Sequence, residues 1–440
     1  MSHQHANIVV VGGGPAGAAA AISLARLGHR PLLICAPRRQ AAIEGFSDRT
    51  MQALETLGFG RALDAVGPKV ARQAFWGGDR SRVNTEFVVD RAVFDAALLA
   101  DVGNRDIEIL RGLVTRVARS GPLWHVQVSS SRLVTADFMI EARGRSASVP
   151  SRARLQGPAT VSLARLWTGV DKTPGTSVAA MRDGWTWYAS AGDGRAMLQF
   201  LVAAEPGDLP KRQGLAEFYD TTFLGCEVAR GWVNGGRPSG GVVVRRANPV
   251  CAKRPLDDGV IRIGDAAVAP DPLSGHGVYV ALGGAQAAAV TVNTLLSRPE
   301  NKGLAISFYE ERCLLDFMRL CRVGRAFYAE EQRWPDRPFW RIRGAWPDRK
   351  PPHEPMNSHP PRIERRPVVE HGFIAEHEVI VTPDHPRGIW VVDGVPLVPL
   401  YRTMMDTGGA QNIRQLAARL GRSRESVGLA RQWLKQRFEF

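Results

Sequence analysis

Cysteine is scarce in this 440-residue sequence, and the scarcity is informative. Five residues, Cys35, Cys226, Cys251, Cys313 and Cys321, are scattered and form no CxxC. Such a set excludes a disulfide framework and a thiolate zinc site, and fits reduced thiols in a cytoplasmic protein. Cys313 and Cys321 fall in one helical segment about two turns apart, too far to bridge. His and carboxylates show no metal-ligand spacing, and no nucleophile triad is present, so no metal is expected. The N-terminus MSHQHANIVVVGG lacks a basic segment, an apolar core and a cleavage site, and is not expected to be a secretory leader. Nor is any apolar run expected to be long enough to cross a bilayer.

Acidic residues are short as well: 43 Asp and Glu against 57 Lys and Arg give a net charge of +14. Arginines crowd into 319–366, at Arg319, Arg322, Arg325, Arg333, Arg337, Arg341, Arg343, Arg349, Arg362, Arg365 and Arg366. The run reads either as a solvated basic face or as a surface for an acidic partner. It comes with no nucleic-acid-binding motif, so nucleic acid is not the expected partner. The length exceeds what one core usually holds, which predicts two or three domains.

What the sequence has is glycine in two strand-to-helix turns about 250 residues apart. In VVVGGGPAGAAAA (9–21), Gly12, Gly14 and Gly17 form GxGxxG between an apolar strand and a helix of small residues. That context is the dinucleotide fingerprint: a tight turn, backbone open to a pyrophosphate, and close helix packing. The helix N-terminus adds free N–H groups and partial positive charge for the phosphates. The acidic residue expected after the second strand is missing; Cys35 stands about there, followed by Arg38 and Arg39, which either hold the adenosine end or are surface arginines.

The second turn, GDAAVAPDPLSGHG (264–277), explains why one is not enough. A nicotinamide cofactor needs a single such grip. FAD is longer and needs a second hold on its ribityl chain and ring. Asp265 can accept from a ribityl hydroxyl, Gly264 leaves room for the chain, and the helix after Gly277 points positive charge at the ring.

On these turns the chain resembles the glutathione-reductase-2 type of FAD-dependent monooxygenases, with related reductases and tryptophan halogenases. Supporting stretches follow in order over about 1–330. They are EGFSDRTMQALETLGF (44–59), FVVDRAVFDAALLADV (87–102) with Arg91, Phe94, Asp95 and Leu98, ADFMIEARGRSA (136–147) with Glu141 in place of an Asp, and DGWTWYA (183–189). The resemblance implies FAD as cofactor, with contacts at Ala16, Arg49, Arg91, Val114, Ala142, Gly144, Pro272, Gly275 and Gly277 beside Gly12, Gly14, Gly17, Arg38 and Asp265. It implies an α/β fold: a Rossmann-like FAD-binding domain with an interleaved mixed-sheet substrate domain over 1–330, the substrate layer at about 71–89 and 156–244. A hairpin turning at Asp193-Gly194 is expected within it.

Residues 331–367 read as a Pro/Arg-rich linker, and 368–440 as a winged-helix-like domain. In the latter, helices are expected at Tyr401–Met405, Asn412–Leu420 and Arg424–Phe438, with Gly421 as a break and Ser423 as N-cap. MMDTGGAQNIRQLAARL resembles the leader-peptide-binding winged helix of peptide-modification systems, which implies a peptide added to a sheet edge. DNA binding and a structural cap are the rival readings.

The implied reaction is delivery of oxygen from reduced flavin to an electron-rich ring, the cofactor carrying the chemistry and the protein excluding water. Trp185 and Trp187 share a sheet face, and either line the substrate cavity or fill the core. His276, beside the expected ring, either moves a proton or packs. Family halogenases carry WxWxIP where this chain has Trp-Thr-Trp-Tyr-Ala-Ser, and use a lysine for which Lys69 is the candidate, unless it is a surface lysine. The expected function is aromatic hydroxylation, with a tryptophan of a peptide or small protein, on the way to a tryptophylquinone, as the implied substrate. NAD(P)H or a flavin reductase is the expected reductant. A halogenase, an FAD-dependent reductase and a flavin-binding DNA-binding regulator are the alternatives.

Overall fold

A computed structural model describes residues 2–38, 40–129, 132–147, 153–204, 209–355, 358–406 and 412–438. Arg39 and residues 407–411 of the C-terminal motif lie outside them. The chain forms two compact units, Met1–Val292 with Tyr309–Arg349, and Asn293–Phe308 with Lys350–Phe440.

Two eight-stranded sheets build the first unit. In one, Val260–Arg262, Arg132–Glu141, Ser2–Val11, Pro31–Cys35 and Ile109–Arg111 run parallel in that order. Ile8–Val11 is wholly buried, which is why this strand reads as an unbroken apolar run rather than an alternating one. The helix Pro15–Arg26 packs against this strand and against Pro31–Cys35, and its Ala18, Ala19, Ala20 and Ala21 are buried on every side, small side chains that let its neighbours approach closely. This is the Rossmann-like part of the α/β fold.

The other sheet has the order Arg237–Arg246, Thr160–Thr168, Arg195–Ala203, Gly184–Ser190, Gly175–Met181, Lys69–Trp76, Asp79–Asp90 and Ile43–Phe46. It is antiparallel except between Gly175–Met181 and Lys69–Trp76. The expected hairpin is present: Ser190 pairs with Ala196, and Gly194 takes φ +86°, open to glycine without strain.

Three expectations are corrected here. The 331–367 stretch is not a bare linker. It contains the helix Pro338–Ala345, whose Phe339 and Trp340 are buried against Tyr328 and Trp185, and the start of the strand Arg362–Glu370. Proline and arginine dominate its composition, but two aromatics decide its packing. The arginine run is not simply a solvated face. Arg322 and Arg325 bind Asp348, Arg333 binds Glu331, Arg337 binds Asp183, and Arg343 is buried on the Ala159 carbonyl and Thr160 hydroxyl. Finally, one helix among the described residues, Gly277–Ser297, is long and apolar enough to cross a membrane by length and composition alone. Its Leu282, Ala285, Ala288, Ala289 and Val292 are fully buried, as in a core helix.

The second unit has a three-stranded sheet, Arg362–Glu370, Phe373–Thr382 and His385–Ile389, with helices Leu397–Asp406, Ile413–Leu420 and Arg424–Lys435. Leu416, Ala417, Val427, Ala430 and Leu434 are buried together, as the i, i+3, i+4 spacing requires. Gly421 ends one helix at φ +61°, and the Ser423 hydroxyl accepts from the Ser426 N–H at 3.0 Å to start the next. The arrangement is winged-helix-like. Within the same unit, the Asn293 amide donates to the Gly372 carbonyl, and Arg298 stacks on the Phe373 ring at 3.7 Å.

Candidate active site

Each glycine of the first turn has a separate cause. Gly12 sits at φ +120°, and a Cβ there would lie 2.5 Å from the Ala142 carbonyl oxygen. A Cβ on Gly17 would come within 1.8 Å of the Gly12 oxygen, so Gly17 lets the helix start directly under the turn. Gly14 is different. It caps the helix Pro15–Arg26 with ordinary dihedrals, no side chain caps the free N–H groups, and a Cβ there would meet nothing within 4 Å. The helix N-terminus, with no acidic residue in its first turn, therefore opens directly onto a cavity of about 600 Å³.

Gly12, Gly14, Ala16, Arg38, Arg91, Val114, Ala142, Gly144, Asp265 and Gly277 all line that cavity, with Ile34 and Ala36 from the second strand and its exit, so residues of both glycine turns share one cavity. Cys35 is not in its wall. The thiol is buried beneath Gly13, and burial raises its pKa, so it packs rather than binds. The wall here is formed by Ala36 and Arg38, so an acidic residue at the strand end has no counterpart.

A charged network holds Arg38 in place. Arg38 donates to Asp95 at 2.7 Å, Arg91 donates to Asp95 at 2.9 and 3.1 Å, and a third Arg91 nitrogen reaches Glu44 at 2.7 Å. Burial works against the Arg91 charge, but Glu44 and Asp95 outweigh it and raise its pKa. For Glu44, burial pushes upward and Arg91, Arg38 and Arg245 outweigh it, holding the carboxyl below the usual range. Glu141 is fully buried and taken up by Arg143.

The two glycine turns touch. Gly264, at φ +54°, is packed so closely on the first turn that a Cβ would lie 2.8 Å from the Ala16 Cβ. Asp265 follows, 3.4 Å from Arg145, and its half-exposed side chain lines the cavity. Burial raises its pKa against the pull of Arg145. Gly277 and Val278 also line a second cavity of about 220 Å³ with Phe46, Arg72, Glu86, Trp185, Trp187, Gln199, Leu201, Pro272 and Gly275. Thus both tryptophans line one chamber next to the first cavity, the two sharing Glu44, Gly277 and Val278.

Beneath the chamber, Trp185 Nε1 donates to the Tyr328 hydroxyl at 3.2 Å, and that hydroxyl lies 3.3 Å from both Asp271 oxygens. Asp271 also accepts from the Leu273 N–H at 2.9 Å. Burial raises the Asp271 pKa to about 6. The folded protein therefore holds this proton more tightly than the unfolded chain. The associated stability is complete below about pH 4 and lost as pH rises through 6. Asp271→Asn keeps an acceptor without titrating. Its melting temperature relative to the wild type should rise between pH 4 and 6.5 and then level off; a difference constant across this range would contradict the shift.

Three expected site residues are not in either cavity wall: Gly17, which instead supports the first turn, Arg49 and His276. Arg49 is exposed on the helix Asp48–Leu57. His276 is half-buried, its Nδ1 turned onto the Ser274 carbonyl, and burial, with Arg319 and Arg49 nearby, lowers its pKa. Lys69 is also outside the chamber: its ammonium pairs with Asp48 at 2.7 Å on the surface. Glu44, Arg72, Glu86, Gln199 and Tyr328 are lining or supporting residues that the sequence did not reveal. The available signal was a pair of opposite charges, a half-buried Arg72 and a buried Glu86, on neighbouring strands.

Comparison with known proteins is consistent with this geometry. A model of an FAD-binding domain matches residues 5–112, and a tryptophan halogenase model matches residues 68–358. The latter spans more than half the chain. The chain belongs to the tryptophan halogenase family of FAD-dependent enzymes. A solved structure described as the peptidyl tryptophan dihydroxylase QhpG, essential for tryptophylquinone cofactor biogenesis, is 36 % identical, with a TM-score of 0.85 over 99 % of this chain and 100 % of that one. Tryptophan 2-halogenase of Chondromyces crocatus is 25 % identical over 74 % of this chain and 68 % of its own. The flavin-dependent halogenase CmlS, at 20 % identity and a TM-score of 0.75 over 99 % and 94 %, shares the fold.

The cofactor is FAD, and the residues present fit it. The open Gly14 and helix N-terminus suit a diphosphate, the wall at Ala36 and Arg38 an adenosine, and Asp265 a ribityl hydroxyl. Bound there, the flavin supplies the activation of dioxygen that this family of monooxygenases and halogenases uses. The protein's share is to hold the cofactor at both ends and to offer an aromatic-walled chamber beside it.

Proposed function

We propose that the protein is an FAD-dependent monooxygenase that hydroxylates the indole ring of a tryptophan in a peptide or small protein, toward a tryptophylquinone. The observation that carries this is the full-length similarity to the peptidyl tryptophan dihydroxylase, which extends through the C-terminal unit as well as the flavin unit. The chamber agrees in kind. At about 220 Å³ it is smaller than a typical drug-sized pocket, and Phe46, Trp185 and Trp187 stand in its walls. Trp185, Trp187 and Phe46 orient a flat ring, and Leu201 helps keep water from it.

The C-terminal unit holds the peptide, and the reductant is NAD(P)H or a separate flavin reductase. FAD contacts are assigned to Gly12, Gly14, Ala16, Arg38, Arg91, Val114, Ala142, Gly144, Asp265 and Gly277, with Gly17 supporting the turn and Pro272 and Gly275 at the chamber. The test is an intact-mass measurement on a tryptophan peptide incubated with protein, reductant, oxygen and bromide. A gain of oxygen supports hydroxylation, and a gain of bromine assigns the chain to its halogenating relatives instead. Because Lys69 is tied to Asp48 away from the chamber, Lys69→Ala should retain oxygen insertion within about twofold, the change normal for a surface ion pair. A loss of two orders of magnitude would place Lys69 in the chemistry.

A further inference from the structure

The chamber contains one ion pair that the fold leaves incompletely used. Arg72 Nη1 donates to Glu86 Oε1 at 3.2 Å, a single contact where arginine and carboxylate usually pair through two. Arg72 Nε and Glu86 Oε2 are both buried without a hydrogen-bond partner. Glu86 is only 7 % exposed, so an unused carboxylate oxygen costs its full desolvation. Buried polar atoms are otherwise paired almost everywhere in proteins, and an exception beside an active cavity calls for a partner.

Gly45 keeps the exception possible. A Cβ at that position would lie 2.5 Å from Glu86 Oε2, so any other residue would push the carboxylate aside. Oε2 is shielded beside Gly45 while the residue lines the chamber, and the broad terminal torsion of a glutamate lets the carboxylate turn to present that oxygen to a donor. Phe46, Trp185, Trp187 and Leu201 are the large apolar side chains of the remaining wall, with Glu44, Thr50, Ser162 and Gln199 as its polar ones. The aromatic side chains suit a flat ring, and the unpartnered Glu86 oxygen calls for a donor, which the N–H of an indole supplies.

We propose that Glu86 recognises the substrate tryptophan by accepting its indole N–H, with Arg72 fixing the carboxylate and Gly45 making room for it. The proposal rests on the hydroxylase assignment and specifies how that site distinguishes tryptophan from other aromatic side chains. A chamber built to accept an N–H rejects an isosteric ring without one, because the carboxylate then stays unpaired.

The probes are N-acetyl-tryptophanamide and the N-acetyl amide of 3-benzothienylalanine, in which sulfur replaces the N–H with little change of shape. Binding to the FAD-loaded protein is followed by perturbation of the flavin absorption, so turnover is not needed. The wild type should bind the tryptophan probe about tenfold or more tightly than the benzothienyl probe. Glu86→Ala should reduce that ratio to within about twofold. If Glu86→Ala does not fold, the double variant Arg72→Met/Glu86→Leu removes both charges together and serves the same purpose. Equal binding of the two probes by the wild type, or full preference in the Glu86 variant, would overturn the recognition role. If the preference stands while a tryptophan peptide gains no oxygen, the hydroxylase assignment fails and the recognition role survives.

Discussion

Gly14→Val should yield a folded, colourless protein. Gly14 has φ −75° and ψ −177°, dihedrals that any residue adopts, and its missing Cβ points into empty space rather than at protein. The substituted chain therefore loses nothing in its own packing. The added branched side chain instead occupies the place where the cofactor's diphosphate meets the helix N-terminus. Overpacking a close contact by three carbons costs about 1–3 kcal/mol or more, so flavin affinity should fall by about five- to a hundredfold or more. Gly17→Val is the control with the opposite signature. Its Cβ would collide with the Gly12 carbonyl at 1.8 Å, so stability and flavin are lost together. Flavin content by absorbance and melting temperature for both variants separate the two cases. A yellow Gly14→Val protein at full stoichiometry would move the diphosphate elsewhere.

Arg91→Ala should cost about 3–5 kcal/mol, the effect of stripping a buried cation from its carboxylates. The side chain is 8 % exposed and makes three bonds to two acids, Glu44 and Asp95, while Asp95 in turn fixes Arg38. Removing it leaves two carboxylates facing each other across the cavity wall with fewer countercharges. The melting temperature should fall by roughly 10 °C. Arg91→Lys should recover only part of this, because an ammonium is a point charge and cannot span both acids as the guanidinium fork does. If Arg91→Ala melts within 2 °C of the wild type, the network is not a structural element of the flavin site.

The parts of this molecule that were legible in sequence are those fixed by local backbone conformation or by strict periodicity. Gly12, Gly17 and Gly264 are glycines because a carbonyl or another turn lies where a side chain would be, and such constraints fall on short motifs. Trp185 and Trp187 share a face because a strand alternates, and Ser423 and Gly421 bracket a helix because caps act within four residues. What stayed hidden depends on chain segments meeting from afar. Glu86 and Arg72 become neighbours across strands whose register shifts between Arg72 and Gln73. Glu44 acquires its role only when Arg91 folds against it. His276 illustrates the same point. Adjacency to the second turn left open whether it reaches the ring or packs; in the fold its Nδ1 meets the Ser274 carbonyl and the residue lines neither cavity. The 331–367 stretch was read by its prolines and arginines, whereas Phe339 and Trp340 determine where it packs.

The central claim is that one elongated flavin is gripped at two glycine turns with its ring beside the tryptophan chamber. A crystal structure of the yellow, FAD-loaded protein tests it most directly. The account predicts the diphosphate at Gly12–Gly14 and the helix N-terminus, the ribityl chain by Asp265, and the ring at Gly275–Gly277, open toward Trp185 and Trp187. Flavin density outside this cavity, or a ring on the far side of the sheet from the two tryptophans, would contradict it.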